Sequence, residues 1–281
     1  MSFVNTDQAE YWSRVAPEWI EAEDRLEEIG GPPGQMAMDR LGVAAGQRVV
    51  DLGCGSGRTT LELASRVGPD GQVLGVDISP GMVARGRERA RGAGLQNVEF
   101  LHADVQVNDL GQSRFDAAYS RFGIMFFADP TAAFSNVRRS LRPGGVLSFV
   151  CWQSVFDNEW LLIPGAAVAS VLGSLPPMPG PNEPGPFSLA DPDRVRSILD
   201  AAGFRGIDVV PHSDSLVITE QRIPEVALTS TRVGAVRELL READDVTRER
   251  VLRAIEDALR ARVQDGEVRA SRSILLVRAE T

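Results

Sequence analysis

Short apolar runs of strand character alternate with segments of helical period along most of the chain. The run 49–52 is followed by a glycine-rich turn and by a helix predicted over 58–67, and the run 72–76 ends in Asp77. Strands that alternate with helices build a mostly parallel sheet. The pattern therefore predicts an α/β fold. An apolar strand that ends in a glycine-rich turn before a helix also predicts a corner that accepts an anion or a nucleotide.

The spacing of the glycines separates two candidate nucleotide cofactors. The dinucleotide fingerprint is G-x-G-x-x-G, and its third glycine would fall at position 58, where this chain has Arg58. The turn instead has glycines at positions 53, 55 and 57, and Asp51 stands at the end of the preceding strand. A carboxylate is unfavourable beside a pyrophosphate, but it suits the cationic amino-acid end of S-adenosylmethionine (SAM). The turn therefore favours SAM.

Asp77 supports this interpretation by its position. It lies 20 residues after Gly57, at the end of the second strand-like run. A second strand beside the first would place this carboxylate where it accepts hydrogen bonds from both hydroxyls of a ribose.

Four further segments follow the turn in a fixed order, with the sequences GVDIS, LHADV, FDAAYS and LRPGGVL at 75–79, 101–105, 115–120 and 141–147. With them the chain resembles the class I SAM-dependent methyltransferases, in the branch similar to the ubiquinone and menaquinone C-methyltransferases and other small-molecule methyltransferases. The resemblance covers residues 35–155 tightly. It implies a Rossmann-like, doubly wound sheet of seven strands whose last strand is antiparallel.

The resemblance also implies which residues surround the cofactor. The methionine end would lie against Asp51, Gly53, Gly55, Gly57 and Ser120, and the ribose would bind Asp77. The adenine would lie against Ile78, Met82, Asp104 and Val105. Asp104 would accept a hydrogen bond from the adenine amino group. Ser120 would present its backbone carbonyl near the cofactor ammonium. Met82 is equally consistent with an ordinary core position on a helix.

The first 34 residues predict a helical lid. Residues 6–29 indicate two short helices, with Pro17 at a first helical position and Tyr11, Trp12 and Trp19 at helical spacing. These aromatic side chains either only fasten the helices to the domain or, as the resemblance implies, cover the cofactor and the substrate. In the second case Tyr11 and Trp19 belong to the cofactor site.

The chain beyond the core (35–155) predicts further additions. A helix over 157–172 and a loop rich in Pro and Gly form the segment 156–190, and the loop is either an active-site flap or a plain surface connection. The remainder, 191–281, continues the core with a helix over 191–202 and strands over 206–219 and 268–278. Between these two strands, helical periodicity predicts a cap inserted at about 220–264.

Methyl transfer from SAM needs few catalytic side chains, because the cofactor is already activated and the protein mainly aligns the reacting atoms. Arg121 is one catalytic candidate; it either binds a substrate oxygen or pairs structurally with Asp129 or Asp116. His102 is the other, as a base or as a structural residue. His212 is expected to be structural. We expect no metal site, since no ligand cluster is readable.

Composition limits the class of methyl acceptor and the cellular compartment that we expect for this chain. The chain has 281 residues, a net charge of −9 and no arginine-rich stretch interleaved with aromatics, which disfavours nucleic acid as a partner. The chain has two cysteines, a polar N-terminus and no long apolar run. These features predict a cytoplasmic protein without a membrane partner. A homodimer is a possible assembly. We therefore expect metal-independent methyl transfer to carbon or oxygen of a small, fairly apolar, natural-product or quinone-like molecule. The alternatives are a SAM-binding cyclase that keeps the methyl group and a non-catalytic SAM-binding partner subunit.

Overall fold

The computed structural model describes residues 3–175, 178–180 and 182–281. Its strands form one seven-stranded sheet: β1 (Arg48–Leu52), β2 (Gln72–Asp77), β3 (Val98–His102), β4 (Phe115–Arg121), β5 (Leu141–Trp152), β6 (Arg205–Thr219) and β7 (Glu267–Glu280). The order is β3-β2-β1-β4-β5-β7-β6, with β1 to β5 parallel and β7 antiparallel to β5. This confirms the predicted doubly wound sheet with an antiparallel last strand.

Ten α-helices accompany the sheet in the part of the chain that the structure describes: α1 (Thr6–Glu21), α2 (Glu23–Leu41), α3 (Arg58–Val67), α4 (Pro80–Gly92), α5 (Pro130–Ser140), α6 (Glu159–Leu172), α7 (Pro192–Ala201), α8 (Ile223–Arg232), α9 (Gly234–Leu240) and α10 (Asp245–Arg260). Short 3-10 turns lie at 124–126, 155–157 and 220–222. Asp129 and Asp191 cap the helices that follow them, each with a proline in the first turn.

The N-terminal helices differ from the prediction. Pro17 lies inside α1 and does not begin a helix. Helix α2 continues to Leu41, although residues 30–34 contain three glycines and two prolines, which have low helix propensity. Packing on the sheet overrides that propensity: the Tyr119 hydroxyl of β4 donates to the Gly34 carbonyl at 2.8 Å, and the Ser148 hydroxyl of β5 donates to the Ala37 carbonyl at 2.7 Å.

The chain divides into two compact units. One contains 1–152, 181–211 and 274–281, and the other contains 153–180 and 212–273. The second unit holds α6, α8, α9 and α10, which bury an apolar core of their own. The insertion predicted at about 220–264 therefore contains helices, namely α8, α9 and α10. Its role as a cap stays a prediction. None of the described helices is both long and apolar enough to cross a membrane.

Candidate active site

The turns that follow β1 and β4 meet where the strand order reverses. Asp51 of β1 pairs in parallel register with Tyr119 of β4. From this pair of strands the sheet continues through β2 and β3 on one side and through β5, β7 and β6 on the other. In open α/β sheets, ligands bind in the crevice at this position. A Cβ atom at Gly53 would lie only 2.7 Å from the Gly123 Cα, so the two turns approach each other as closely as glycine allows.

Asp51 is a fully buried carboxylate with only one of its oxygens paired. Its Oδ2 accepts hydrogen bonds from the Thr59 and Thr60 hydroxyls, both at 2.7 Å. Its Oδ1 is buried and has no partner among the residues that the structure describes. Burial raises the pKa of Asp51 from 3.8 to about 6. Next to it, the Ser120 hydroxyl donates to the Leu52 carbonyl at 2.7 Å. A buried oxygen without a donor indicates a place for a ligand donor.

Asp77 holds the glycine-rich turn against the end of β2. Its Oδ2 accepts from the Gly55 backbone N–H and its Oδ1 from the Ser79 N–H, both at 2.8 Å. Burial raises its pKa. A carboxylate accepts about four hydrogen bonds, so two bonds leave capacity for a diol. Ile78 beside it is half-buried, and Met82 is buried in helix α4.

Asp104, which is expected to accept a hydrogen bond from the adenine amino group, binds the N-terminal segment in the structure. Its Oδ2 accepts from the Val4 and Asn5 backbone N–H groups, both at 3.0 Å, and its Oδ1 accepts from Asn5 Nδ2 at 2.8 Å and from the Gln106 N–H at 3.0 Å. These four bonds occupy both oxygens. Val105 is buried beside it. The structure thus brings Asp104 together with the N-terminal segment, and adenine recognition by its side chain stays a prediction.

The predicted lid aromatics form one edge-to-face cluster. The Trp12 ring contacts those of Tyr11, Trp19 and Phe126, with centroid distances of 5.3, 5.0 and 5.0 Å. The Arg14 guanidinium lies 5.5 Å from the Tyr11 ring centroid. Trp12 thus fastens α1 to the 124–126 turn. Trp19 differs, because its indole N–H is buried and has no partner within the described part of the chain. Buried indole N–H groups usually find an acceptor.

Arg121, a catalytic candidate, has a structural partner that the sequence did not suggest. Its Nη1 lies 2.8 Å from Glu27 Oε1, an ion pair between β4 and α2. The two carboxylates considered from the sequence are used elsewhere: Asp116 pairs with Arg142 at 2.8 Å, and Asp129 caps α5. Of the two alternatives for Arg121, a structural pairing with Asp116 or Asp129 is therefore wrong, and binding of a substrate oxygen stays a prediction. No local signal links positions 27 and 121, which are 94 residues apart.

The two histidines have different surroundings. His102 Nε2 lies 3.1 Å from the Ile78 carbonyl, and its ring contacts that of Phe3 at 5.2 Å. These contacts suit a structural histidine, while a role as a base stays a prediction. His212 belongs to the other compact unit and lies 3.9 Å from Asp214.

One half-buried carboxylate, Glu23, and three arginines join the start of α2 to the glycine-rich turn. Glu23 lies 2.6, 3.1 and 3.7 Å from the guanidinium groups of Arg89, Arg85 and Arg58. Burial alone would raise the pKa of Glu23, but hydrogen bonds from Arg89, Arg85 and Ser56 together lower it. Arg89 also donates to the Ser56 carbonyl at 2.7 Å. Sequence reasoning missed this cluster, because its members lie on three separate elements.

Residues 49–145 match the family model described as "Methyltransferase domain". This chain contains a class I SAM-dependent methyltransferase domain. The matched stretch includes the glycine-rich turn, Asp77 and Asp104.

Relatives and solved structures agree with the domain assignment. The chain is 32% identical over 127 residues to the aklanonic acid methyltransferase DauC of Streptomyces sp. (strain C5), covering 45% of this chain and 58% of the relative. It is 33% identical over 117 residues to a demethylmenaquinone methyltransferase of Staphylococcus aureus, covering 42% and 47%. The chain thus spans about half the length of the curated relatives it matches. The YcgJ protein of Bacillus subtilis shares the fold, with a TM-score of 0.57 and 18% identity over 88% of this chain and 97% of that one.

Two buried polar atoms and the glycine-rich turn fit SAM. Asp51 Oδ1 offers a buried acceptor, and the Trp19 indole offers a buried donor, each without a partner in the described chain. Gly57 has a φ of +84°, and a Cβ there would lie 2.7 Å from Phe100, so this turn position accepts only glycine without strain. Among the described residues, no three His, Cys, Asp or Glu side chains are grouped to hold a metal ion.

Proposed function

We propose that this protein transfers a methyl group from SAM to a carbon or oxygen atom of a small, fairly apolar acceptor, without a metal ion. The observation that carries the proposal is the buried Asp51 Oδ1, which has no described protein donor and lies beside the glycine-rich turn at the reversal of strand order. An α-ammonium group supplies the donor that this oxygen lacks. When bound, SAM supplies a methyl group activated by its sulfonium.

In this proposal the chain holds SAM by residues on three strand ends. Asp51 accepts from the ammonium, and Asp77 uses its remaining lone pairs for the ribose hydroxyls while it fixes the turn. Ile78 and Met82 supply apolar surface beside the adenine. The backbone carbonyl of Ser120 faces the ammonium. Further members of the site are the turn glycines and two lid residues: Gly53, Gly55, Gly57, Tyr11 and Trp19.

Alignment of the acceptor is the main catalytic task that we assign to the protein. Displacement at a methyl group needs the nucleophile, carbon and sulfur in line, and orientation of this kind lowers barriers by about 7–11 kcal/mol. Arg121, already held by Glu27, orients an acceptor oxygen or enolate through its remaining N–H donors. The names of the two relatives describe methyltransferases of aklanonic acid and of demethylmenaquinone, which supports a small-molecule acceptor.

The setting of the reaction follows from charge and cysteine use. A net charge of −9 supports the exclusion of nucleic acid as the acceptor. Both cysteines are free and buried, which supports a cytoplasmic location. We propose a homodimer as the assembly, and light scattering on the purified chain measures it.

Incubation with methyl-labelled SAM and a panel of quinone-like and phenolic acceptors tests the function. We expect one acceptor to yield labelled product and S-adenosylhomocysteine (SAH) in equal amounts, in the presence of EDTA. An acceptor converted without release of SAH would instead indicate a SAM-binding cyclase. Binding of SAM without turnover, until a second protein is added, would indicate a partner subunit.

A further inference from the structure

The side chain of Asn5 does not form the helix cap that its position before α1 favours. It immediately precedes α1, where asparagine is favoured because its side-chain oxygen accepts an N–H of the first turn. The Asn5 side chain makes no such bond to the described residues of α1. Its Oδ1 accepts from the Ala128 N–H at 2.8 Å, and its Nδ2 donates to Asp104 at 2.8 Å and to Gln106 Oε1 at 3.3 Å. The Asn5 side chain therefore makes three contacts with residues about 100 positions away in sequence in place of a local helix cap.

Asp104 is the centre of these contacts and is fully used by them. It is 1% exposed, and Asn5 is 4% exposed. A carboxylate has about four lone-pair sites. Val4 and Asn5 supply three of the four N–H donors, and Gln106 supplies the fourth. An adenine amino group would therefore have to displace the N-terminal segment to bind this side chain.

The same segment reaches the ends of β2 and β3. The Phe3 ring packs on the ring of His102, whose Nε2 lies 3.1 Å from the Ile78 carbonyl. Gln106 extends the connection, because its Oε1 also accepts from the Asp129 N–H at 3.0 Å. The segment therefore joins the predicted adenine side of the pocket to the start of α1, which carries Trp19.

We infer that Asn5 and Asp104 form a latch that holds α1 over the cofactor, with Asn5 as a positioning residue and Asp104 as the anchor of the N-terminal segment. The inference rests on the proposed function, since it concerns the same cofactor. Places where a sequence breaks a local rule in favour of long-range contacts are expected to be functional. Opening of such a lid governs ligand release. The latch therefore sets the dissociation rate of the cofactor product.

Two substitutions at position 5 separate the latch from helix initiation. Asn5→Ala removes the three side-chain contacts together with a residue type that favours helix initiation, whereas Asn5→Ser keeps a residue that caps helices as well as asparagine but is too short to reach both Asp104 and Ala128. We expect both variants to release SAH about 10- to 100-fold faster with association within about threefold, since lost contacts act mainly on dissociation. Stopped-flow tryptophan fluorescence measures both rates, and circular dichroism confirms the fold. A rate of SAH release from Asn5→Ser equal to that of the wild type would overturn the latch.

A second measurement addresses Asp104 directly. SAH and S-inosylhomocysteine, which carries oxygen in place of the adenine amino group, are titrated into wild type and Asp104→Asn. The latch predicts that Asp104→Asn weakens both ligands by the same factor. A loss confined to SAH would show that Asp104 binds the amino group and would overturn the inference. Absence of SAH binding by wild type would contradict the proposed function as well; wild-type binding with unaltered release in both Asn5 variants contradicts the latch alone.

Discussion

The affinity for SAH should depend on pH through Asp51. Burial raises the pKa of this carboxyl to about 6, and we propose that only its ionised form accepts the ligand's ammonium. At pH 7 about nine-tenths of Asp51 is ionised in the free protein, and at pH 5 about one-tenth. Binding therefore releases a proton at low pH. The apparent dissociation constant should rise about tenfold from pH 7 to pH 5, which is about 1.4 kcal/mol.

The same pKa has a consequence for stability with a defined sign. Because the folded-state pKa lies above the ordinary 3.8, the folded protein holds this proton more tightly than the unfolded chain between pH 4 and 6. Ionising Asp51 then costs roughly 3 kcal/mol of stability, in full above pH 6 and relieved as the pH falls towards 4. Asp51→Asn removes this cost while it leaves an acceptor for the hydroxyls of Thr59 and Thr60, so we expect the variant to fold.

Isothermal titration calorimetry with SAH at pH 5, 6 and 7 measures the effect, in a range where an α-amino group, with a pKa of about 8, stays protonated. Asp77 also has a raised pKa, so Asp51→Asn is the necessary control. We expect the variant to bind SAH weakly and with no tenfold change across this range. A flat profile in wild type, or the wild-type profile in Asp51→Asn, would show that Asp51 does not bind the ammonium group.

The remaining predictions concern cofactor binding, metal dependence and the packing of α4. Asp77→Ala should weaken SAH binding about 10- to 150-fold through loss of charge-assisted hydrogen bonds, whereas Arg121→Ala should stay within about threefold and lower turnover; equal losses in calorimetry would contradict the assignment. Turnover, once an acceptor is found, should survive EDTA, and loss with rescue by magnesium would reveal a metal requirement. Gly86→Ala would place a Cβ 2.5 Å from Phe100 and should destabilise the protein by about 1–3 kcal/mol in urea unfolding. Gly92→Ala, with no atom near the added Cβ, is the control on the same helix and should not destabilise; similar losses in both would show that Phe100 does not limit the space.

The core of the fold was predictable because its signals are local. A glycine-rich turn between an apolar run and a helical segment predicted α3 over the residues that the structure gives it, 58–67. The Asp-Pro pair at 191–192 marked the start of α7 in the same way. The seven-stranded order came from resemblance, since periodicity alone predicts only a mostly parallel sheet.

The contacts that shape the site were not predictable, since they join distant positions. Nothing in the sequence near Arg121 indicates Glu27, and Asn5 has the appearance of an ordinary helix cap. The prediction from Pro17 is wrong for a related reason: proline favours a first helical position in general, but here α1 begins at Thr6 and continues through Pro17, with Val15 and Ala16 buried. Tertiary packing decides such cases.

Calorimetric titration of the purified chain with SAM, SAH and NAD distinguishes the proposed cofactor from a dinucleotide. We expect heat from both SAM and SAH and none from NAD, because Arg58 occupies the position where a dinucleotide fingerprint needs glycine. Micromolar binding of NAD with no heat from SAM would contradict the cofactor assignment and the function proposed on it.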